Sequence, residues 1–224
     1  MKIPALFSRK TLHLPSVFGF GVFGTVISVL FIGLILSVDP FLAPVQPAGN
    51  GALIIEGWVP DYCFDSLKTV LINGRYRYIF VTGGPLELGS YLSEYKNYAL
   101  LGKKRLLKLS FPDSLIFTVP APHSRIDRTW GSAIAFKRWL DSTRCAITTF
   151  DLVSLATHTR RSTLLFRRAL GKRYRIGSIA ISDPDYNFKS WWKSSKGFRI
   201  TVDESIAYIY ALFFIHFKQP DRSS

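Results

Sequence analysis

Side chains that could carry chemistry gather in short segments that each follow an apolar run of the sequence. Glu56-Gly57-Trp58 follows the first run, Thr82-Gly83-Gly84 the second, and a segment with His158 and Arg161 the fourth. Carboxylates and an imidazole can exchange protons, and the planar fork of arginine suits phosphate or carboxylate. A glycine pair between a strand and a helix lets an anion approach the backbone. These segments therefore offer groups for proton transfer and groups for holding an anion.

We select the candidate site from these segments, from Glu94 further along after the second run, and from residues 123–129, which follow the third run. The candidate catalytic residues are the proton-exchanging Glu56, Glu94 and His158. The candidate ligand-binding residues are Gly57, Thr82, Gly83, Gly84, Arg125, Arg128, Thr129, Arg160 and Arg161. Each has a structural alternative, since the glycines can serve tight turns and the arginines can be ordinary surface charge. We expect His158 and Arg161 to be exposed, so that alanine at either position abolishes function and leaves thermal stability nearly unchanged.

Motifs for metals and for common cofactors do not occur in the sequence. No Gly-Lys-Ser/Thr follows Gly83-Gly84, so this is not a Walker loop. The segment that begins at Asp183 starts like a calcium loop, but Phe188 and Ser194 replace the glycine and glutamate that such a loop needs. No cysteine and histidine pair has zinc-site spacing. The sequence thus names no metal and no cofactor.

The elements that must position these residues alternate between strands and helices. Apolar runs bounded by turn residues predict five strands, at 52–56, 78–82, 114–119, 147–155 and 175–182. Helices are predicted at 60–72, 93–108, 127–142, 158–170 and 202–217, with Ser90 or Ser93 capping the second. This alternation predicts an α/β domain over 51–217, a Rossmann-like three-layer α/β/α sandwich with a mostly parallel five-stranded sheet. Ligands of such sheets bind at the carboxyl ends of the strands, where the candidate residues would converge.

Residues 16–38 contain no charged residue and are long enough to cross a bilayer as one transmembrane helix. A cleaved signal peptide is the alternative, but the run is long and ends in a poor cleavage site. Residues 1–15 carry Lys2, Arg9 and Lys10, which favours a cytoplasmic N-terminus and an extracytoplasmic domain at the cytoplasmic (inner) membrane. Residues 39–50, with three prolines, are predicted to be a stiff, extended spacer. The apolar helix at 202–217 is predicted to pack in the core or beside the membrane, and 218–224 form a tail.

The net charge of +14 favours anionic partners such as phosphorylated ligands, nucleic acid or an anionic lipid surface. A solvated basic surface is an equal alternative, and the outward topology argues against nucleic acid. The two cysteines, Cys63 and Cys145, are expected to be free thiols at opposite ends of the sheet.

The order of these features resembles the ElyC/SanA/YdcF family, which is defined by a domain of unknown function. The resemblance rests on the glycine turn Val81-Thr82-Gly83-Gly84, on Glu94, on Arg128-Thr129-Trp130 and on the segment from Ser154 to Ser162. It implies a Rossmann-like fold and a role in the cell envelope, and one relative is reported to bind S-adenosylmethionine.

Two functional hypotheses follow. The first is a membrane-anchored envelope protein whose domain binds a small anionic ligand, phosphorylated or nucleotide-like, as an enzyme of envelope biogenesis. The second is a non-catalytic envelope-maintenance factor that binds a membrane partner or a lipid-linked precursor. No motif decides between them.

Overall fold

The computed structural model describes residues 16–49, 51–74, 76–87, 93–124 and 126–215. The chain separates into two compact units, Met1–Ser37 and Val38–Ser224. The first unit holds most of helix α1, Val17–Leu42, which is long and apolar enough to span a membrane.

The second unit is an α/β domain built on one six-stranded sheet. Its strands are β1 (Val45–Gln46), β2 (Ala52–Glu56), β3 (Ile79–Gly83), β4 (Ile116–Pro120), β5 (Thr149–Leu155) and β6 (Arg175–Ile181). Its helices are α2 (Asp61–Gly74), α3 (Tyr98–Lys108), α4 (Arg128–Thr143), α5 (His158–Leu170) and α6 (Ser195–Phe214). The strand order is β1-β6-β5-β2-β3-β4, in which β2 to β6 are parallel and β1 is antiparallel. The predicted fold class is thus confirmed, and β1 is an edge strand that the sequence did not indicate.

Two apolar cores explain why the strands read as unbroken apolar runs. On one face, Ile54 and Phe80 pack in a cluster with Phe136 of α4 and Phe166 of α5. On the other face, Ile55 and neighbouring strand residues pack against α2 and α3. A parallel strand covered on both faces needs apolar side chains at every position, which removes the alternation that marks a half-exposed strand.

Two helices begin several residues away from their predicted starts. Helix α3 begins at Tyr98 because Asn97 caps it, its side chain accepting a hydrogen bond from the Leu100 amide at 2.8 Å. Ser93 instead accepts a hydrogen bond from the Tyr95 amide at 3.1 Å, which forms a local turn. Ser90 lies outside the described residues. Helix α6 begins two turns early, at Ser195, where the Ser194 hydroxyl accepts a hydrogen bond from the Gly197 amide.

The described part of the predicted spacer, residues 39–49, packs onto the domain. Helix α1 continues to Leu42, and Val45 and Gln46 pair with Ile179 and Ser178 of β6. The segment then reaches Asp151, a buried carboxylate of β5. Asp151 accepts hydrogen bonds from the amides of Ala48 and Gly49 and, at 2.8 Å, from the Tyr76 hydroxyl. These long-range contacts make residues 38–49 part of the second unit.

Helix α6 packs in the core along only one face, whereas the prediction of free cysteines is confirmed. Ala211 and Ile215 pack with Leu165 in a small core, whereas Ile206 and Phe213 are exposed on the outer face of α6. Both cysteines are free thiols, as expected.

Replacing Asp151 should destabilise the domain, because three hydrogen-bond donors lose their acceptor in a buried setting. We expect Asp151→Ala to lower the free energy of unfolding by about 2–4 kcal/mol. Asp65, an exposed carboxylate of α2, supplies the control, and Asp65→Ala should cost less than about 0.5 kcal/mol. Urea unfolding of the detergent-solubilised chain, followed by tryptophan fluorescence, would measure both. Equal losses for the two variants would contradict this role of Asp151.

Candidate functional site

A cleft of about 700 Å³ opens at the carboxyl edge of the sheet. Eight of the predicted site residues line it: Glu56, Thr82, Gly83, Gly84, Arg128, Thr129, His158 and Arg161. They come from β2, β3, the start of α4 and the start of α5. They converge because parallel strands end at one edge and the following helices begin there.

Three predicted residues do not line the cleft. Glu94 is exposed in the loop before α3, because that helix begins only at Tyr98. Arg160 is turned away, with its guanidinium 3.9 Å from the centroid of the Phe41 ring and its Nε donating to the Phe41 carbonyl. Gly57 is buried behind the cleft. Arg125 lies outside the described residues.

Close packing accounts for two of the three site glycines. A Cβ at Gly57 would lie 2.2 Å from the carbonyl oxygen of Tyr98, and one at Gly83 would lie 2.6 Å from the Tyr98 Cβ. Both glycines therefore let the start of α3 approach the sheet. Gly84 differs, since the nearest atom to its Cβ would be 3.7 Å away. It remains the glycine whose backbone a ligand can approach.

Glu56 ends β2 and places a carboxylate in the wall of the cleft, where the residue is only 2% exposed. Its Oε2 accepts hydrogen bonds from the hydroxyls of Ser154, at 2.5 Å, and Ser162, at 3.0 Å. The same oxygen lies 3.9 Å from His158 Nε2. With Oε2 engaged, Oε1 is the oxygen that a ligand in the cleft could reach.

His158 and Arg161 meet a carboxylate that sequence reasoning missed, Glu204 of α6. His158 Nδ1 lies 2.8 Å from Glu204 Oε1, and Arg161 Nε donates to Glu204 Oε2 at 2.8 Å. Arg161 also donates to Oε1 at 3.0 Å. The three side chains are 15–20% exposed. The expectation that His158 and Arg161 are exposed is therefore wrong. Replacing either with alanine should also lower stability, because Glu204 would keep fewer partners in a largely buried position.

The surroundings of Glu204 strongly favour its ionised form over the protonated form. Burial alone would raise the pKa of this carboxyl, but the hydrogen bonds and charges of His158 and Arg161 outweigh burial and lower the pKa to about 2. Glu204 is thus an acceptor at any ordinary pH, and it orients the imidazole of His158.

The surroundings of His158 Nδ1 define two proton positions. Both Arg161 Nη2, at 2.9 Å, and Glu204 Oε1 face Nδ1. A guanidinium only donates hydrogen bonds and a carboxylate only accepts them, so Nδ1 can bond to only one of the two at a time. With its proton on Nδ1, His158 donates to Glu204 and Nε2 holds a lone pair. With Nδ1 bare, it accepts from Arg161 and Nε2 carries the proton toward Glu56. Nε2 is enclosed and has no hydrogen-bond partner among the described residues, and the Trp58 ring packs against the imidazole at an interplanar angle of 78°. At 3.9 Å from Glu56 Oε2, Nε2 lies beyond hydrogen-bond distance, so a proton could pass between the two side chains only after they move closer together.

The side chains that line the cleft do not carry the excess of positive charge that the arginines in the sequence suggested. The described lining contains two arginines and two histidines but five carboxylates: Glu56, Glu87, Asp127, Asp183 and Glu204. Arg128 is paired with Glu87 and Arg161 with Glu204. What remains favourable to an anion is the amino end of α5 beside His158 and that of α4 beside Arg128, where backbone amides point outward.

Other lining residues were not selected as site residues, among them Trp58, Tyr98, Asp127, Ser132 and Asp183. Trp58, Asp127 and Asp183 follow predicted strands, which was the signal that could have selected them. Glu204 gave no such signal, because it lies within a helix that packs over the cleft from the far end of the chain.

No protein-family model, no curated protein and no solved structure matches this chain. The functional argument therefore rests on the residues and their geometry.

Acid should expose the contribution of Glu204 to stability. Its pKa falls from an ordinary 4.5 to about 2 on folding, so the stabilisation is complete above pH 4.5 and is lost as pH falls toward 2. This lowering of the pKa corresponds to a contribution to the free energy of unfolding on the order of 3 kcal/mol. We expect Glu204→Gln to be less stable than the unmodified chain at pH 7, with the gap shrinking below pH 4.5.

Glu94→Gln, at an exposed position, is the control and should follow the unmodified chain at every pH. All five tryptophans lie after residue 38, so their fluorescence reports the domain alone. A gap between the Glu204 variant and the unmodified chain that stays constant from pH 7 to pH 3 would rule out this linkage.

Two glycine variants should separate packing from ligand access. Gly57→Ala forces a Cβ against the Tyr98 carbonyl and should cost about 1–3 kcal/mol of stability. Gly84→Ala meets no atom within 3.4 Å and should leave stability within about 0.5 kcal/mol. Thermal unfolding of both variants measures this, and a tolerated Gly57→Ala would disprove the packing role.

Proposed function

We propose that this chain is a single-pass envelope protein of the ElyC/SanA/YdcF type that binds a small ligand with an anionic group in the cleft. We further propose that it is an enzyme in which Glu56 and His158 exchange a proton with the ligand. The observation that carries both proposals is the meeting of Glu56, His158 and Arg161, from separate elements, at one edge of the sheet.

The charges of the cleft narrow the class of ligand. The helix amino ends and Arg161 suit an anionic group, whereas five carboxylates suit hydroxyl or amine donors. Phosphorylated sugars, nucleotides and S-adenosylmethionine each combine an anionic group with such donors. A simple anion with no donor groups would meet mostly like charge and fits poorly.

The proton chemistry would begin at Glu56. Its Oε1 can accept a proton from a ligand hydroxyl or amine, while the hydroxyls of Ser154 and Ser162 hold its Oε2 in place. His158, 3.9 Å away, can relay the proton, and Glu204 stabilises the imidazolium that then forms. This role requires only a small approach of the two side chains.

The ion pairs in the cleft favour a second candidate function. Because Arg128 and Arg161 are already neutralised by Glu87 and Glu204, the cleft can be a binding site without turnover. The chain would then be a non-catalytic envelope-maintenance factor that holds a lipid-linked precursor or a membrane partner.

We also propose that residues 1–15 lie in the cytoplasm and that the domain lies outside the cytoplasmic membrane, since Lys2, Arg9 and Lys10 precede the span. Alkaline phosphatase fused after Ser224 should be active, because this reporter works only after export. The same enzyme fused after residue 224 of a chain lacking residues 16–38 should be inactive. Activity of a cytoplasmic reporter at Ser224 would reverse the topology.

Ligand binding can be tested by thermal shift of the detergent-solubilised full chain with phosphorylated envelope precursors, nucleotides and S-adenosylmethionine. A compound at 100 times its Kd should stabilise the domain by about 2.7 kcal/mol. Arg161→Gln should remove that shift, measured against its own unliganded state. The adjacent Arg160→Gln, outside the cleft, should keep it.

Two results of this experiment would decide against the enzyme proposal in different ways. A shift that survives both Arg161→Gln and Glu56→Gln would place the ligand elsewhere and refute the cleft. A shift that needs Arg161, with no conversion of the compound by the unmodified chain, would favour the non-catalytic factor.

A further inference from the structure

A second concave surface lies at the opposite, amino edge of the sheet. This groove, of about 1060 Å³, runs between the carboxyl-terminal halves of α4 and α5 and the start of β6. Its described lining contains six basic residues and one acid. The basic residues are Lys137, Arg138, Arg167, Arg168, Lys172 and Arg175.

The acid of the groove cancels little of this charge. Asp141 contacts Lys137, one turn away on α4, at 3.4 Å. In the described part of the chain, none of the other five basic residues of the groove makes an ion pair with a carboxylate. Some cations elsewhere in the domain are paired, as Arg105 is with Asp61 and Lys103 with Asp113. The groove therefore concentrates an unneutralised positive charge that costs stability through self-repulsion.

Two of the arginines are held in place by backbone carbonyls. Arg167 donates to the Ile176 carbonyl through Nε at 2.9 Å and Nη2 at 2.6 Å. Arg168 donates to the carbonyls of Ala211 and, at 3.0 Å, Leu212. Each guanidinium has five N–H groups, so each keeps donors for a ligand. Because carbonyls fix the forks without neutralising them, both are preorganised for an anion.

We propose that this groove is a binding site for a phosphate-bearing ligand, separate from the cleft and independent of the function proposed there. Phosphate suits it because guanidinium forks bind phosphate oxygens in pairs and the flanking cations of Lys172 and Arg175 add long-range attraction. The apolar floor, with Trp130 and Ile134, accommodates the uncharged part of such a ligand. The source of the phosphate is either a soluble phosphorylated compound or an anionic lipid headgroup.

The test uses the full chain and two probes. For the soluble source, the detergent-solubilised chain is titrated with inorganic tripolyphosphate in low salt, and binding is followed by calorimetry. For the lipid source, the chain in phosphatidylcholine nanodiscs is incubated with vesicles that contain phosphatidylglycerol, and co-sedimentation is measured against pure phosphatidylcholine vesicles. We expect binding in at least one arm, weakened by added salt.

The decisive variant is the pair Lys172→Glu and Arg175→Glu, both exposed and therefore compatible with folding. It should weaken binding at least tenfold. The pair Lys189→Glu and Lys193→Glu, exposed and outside both cavities, changes the net charge equally and should weaken binding less than threefold. Loss in the tripolyphosphate arm identifies a soluble ligand, and loss in the vesicle arm identifies a headgroup.

Three results would overturn the proposal: no binding in either arm, equal weakening by the two charge-reversal pairs, or binding that the groove pair leaves intact. Equal weakening would mean that overall charge, and not the groove, attracts the probe.

Discussion

One largely buried carboxylate, Glu204, links α6 to the carboxyl edge of the sheet. It lies on α6 and holds both His158 and Arg161 of α5, which otherwise would bring two donors to the cleft without an acceptor. The resulting pKa near 2 keeps Glu204 charged. The orientation of the imidazole, the neutralisation of Arg161 and the closure of the cleft by α6 all depend on this contact. The proton relay proposed for Glu56 and His158 depends on it as well.

The sheet was predictable because buried parallel strands must be apolar along their whole length, and five such runs stand out between turn residues. Strand β1 was not predictable, since two residues carry no periodicity and its pairing depends on contacts such as those of Asp151, about a hundred positions away. The start of α3 was placed wrongly for a related reason. Serine and asparagine cap helices equally well, so only the folded chain selects Asn97 over Ser93.

The site was predictable where topology alone decides position, as for Glu56, Thr82 and His158 at the carboxyl edge. The site was not predictable where the rotation of a helix about its axis decides which side chains face the cleft. Arg160 and Arg161 are neighbours about 100° apart around α5, and one contacts Phe41 while the other lines the cleft. Charge shows the same limit. The sequence reports a total of +14, whereas the fold places carboxylates in the cleft and unpaired cations at the opposite edge.

The most direct test of the cleft as the functional site is a structure of the full chain bound to the compound that stabilises it most in the ligand panel. The account predicts ligand density between Gly84 and the amino end of α5, with a hydroxyl or amine of the ligand within hydrogen-bond distance of Glu56 Oε1. Density confined to the groove between α4 and α5, with the cleft unoccupied and the contacts of Glu204 unchanged, would contradict it.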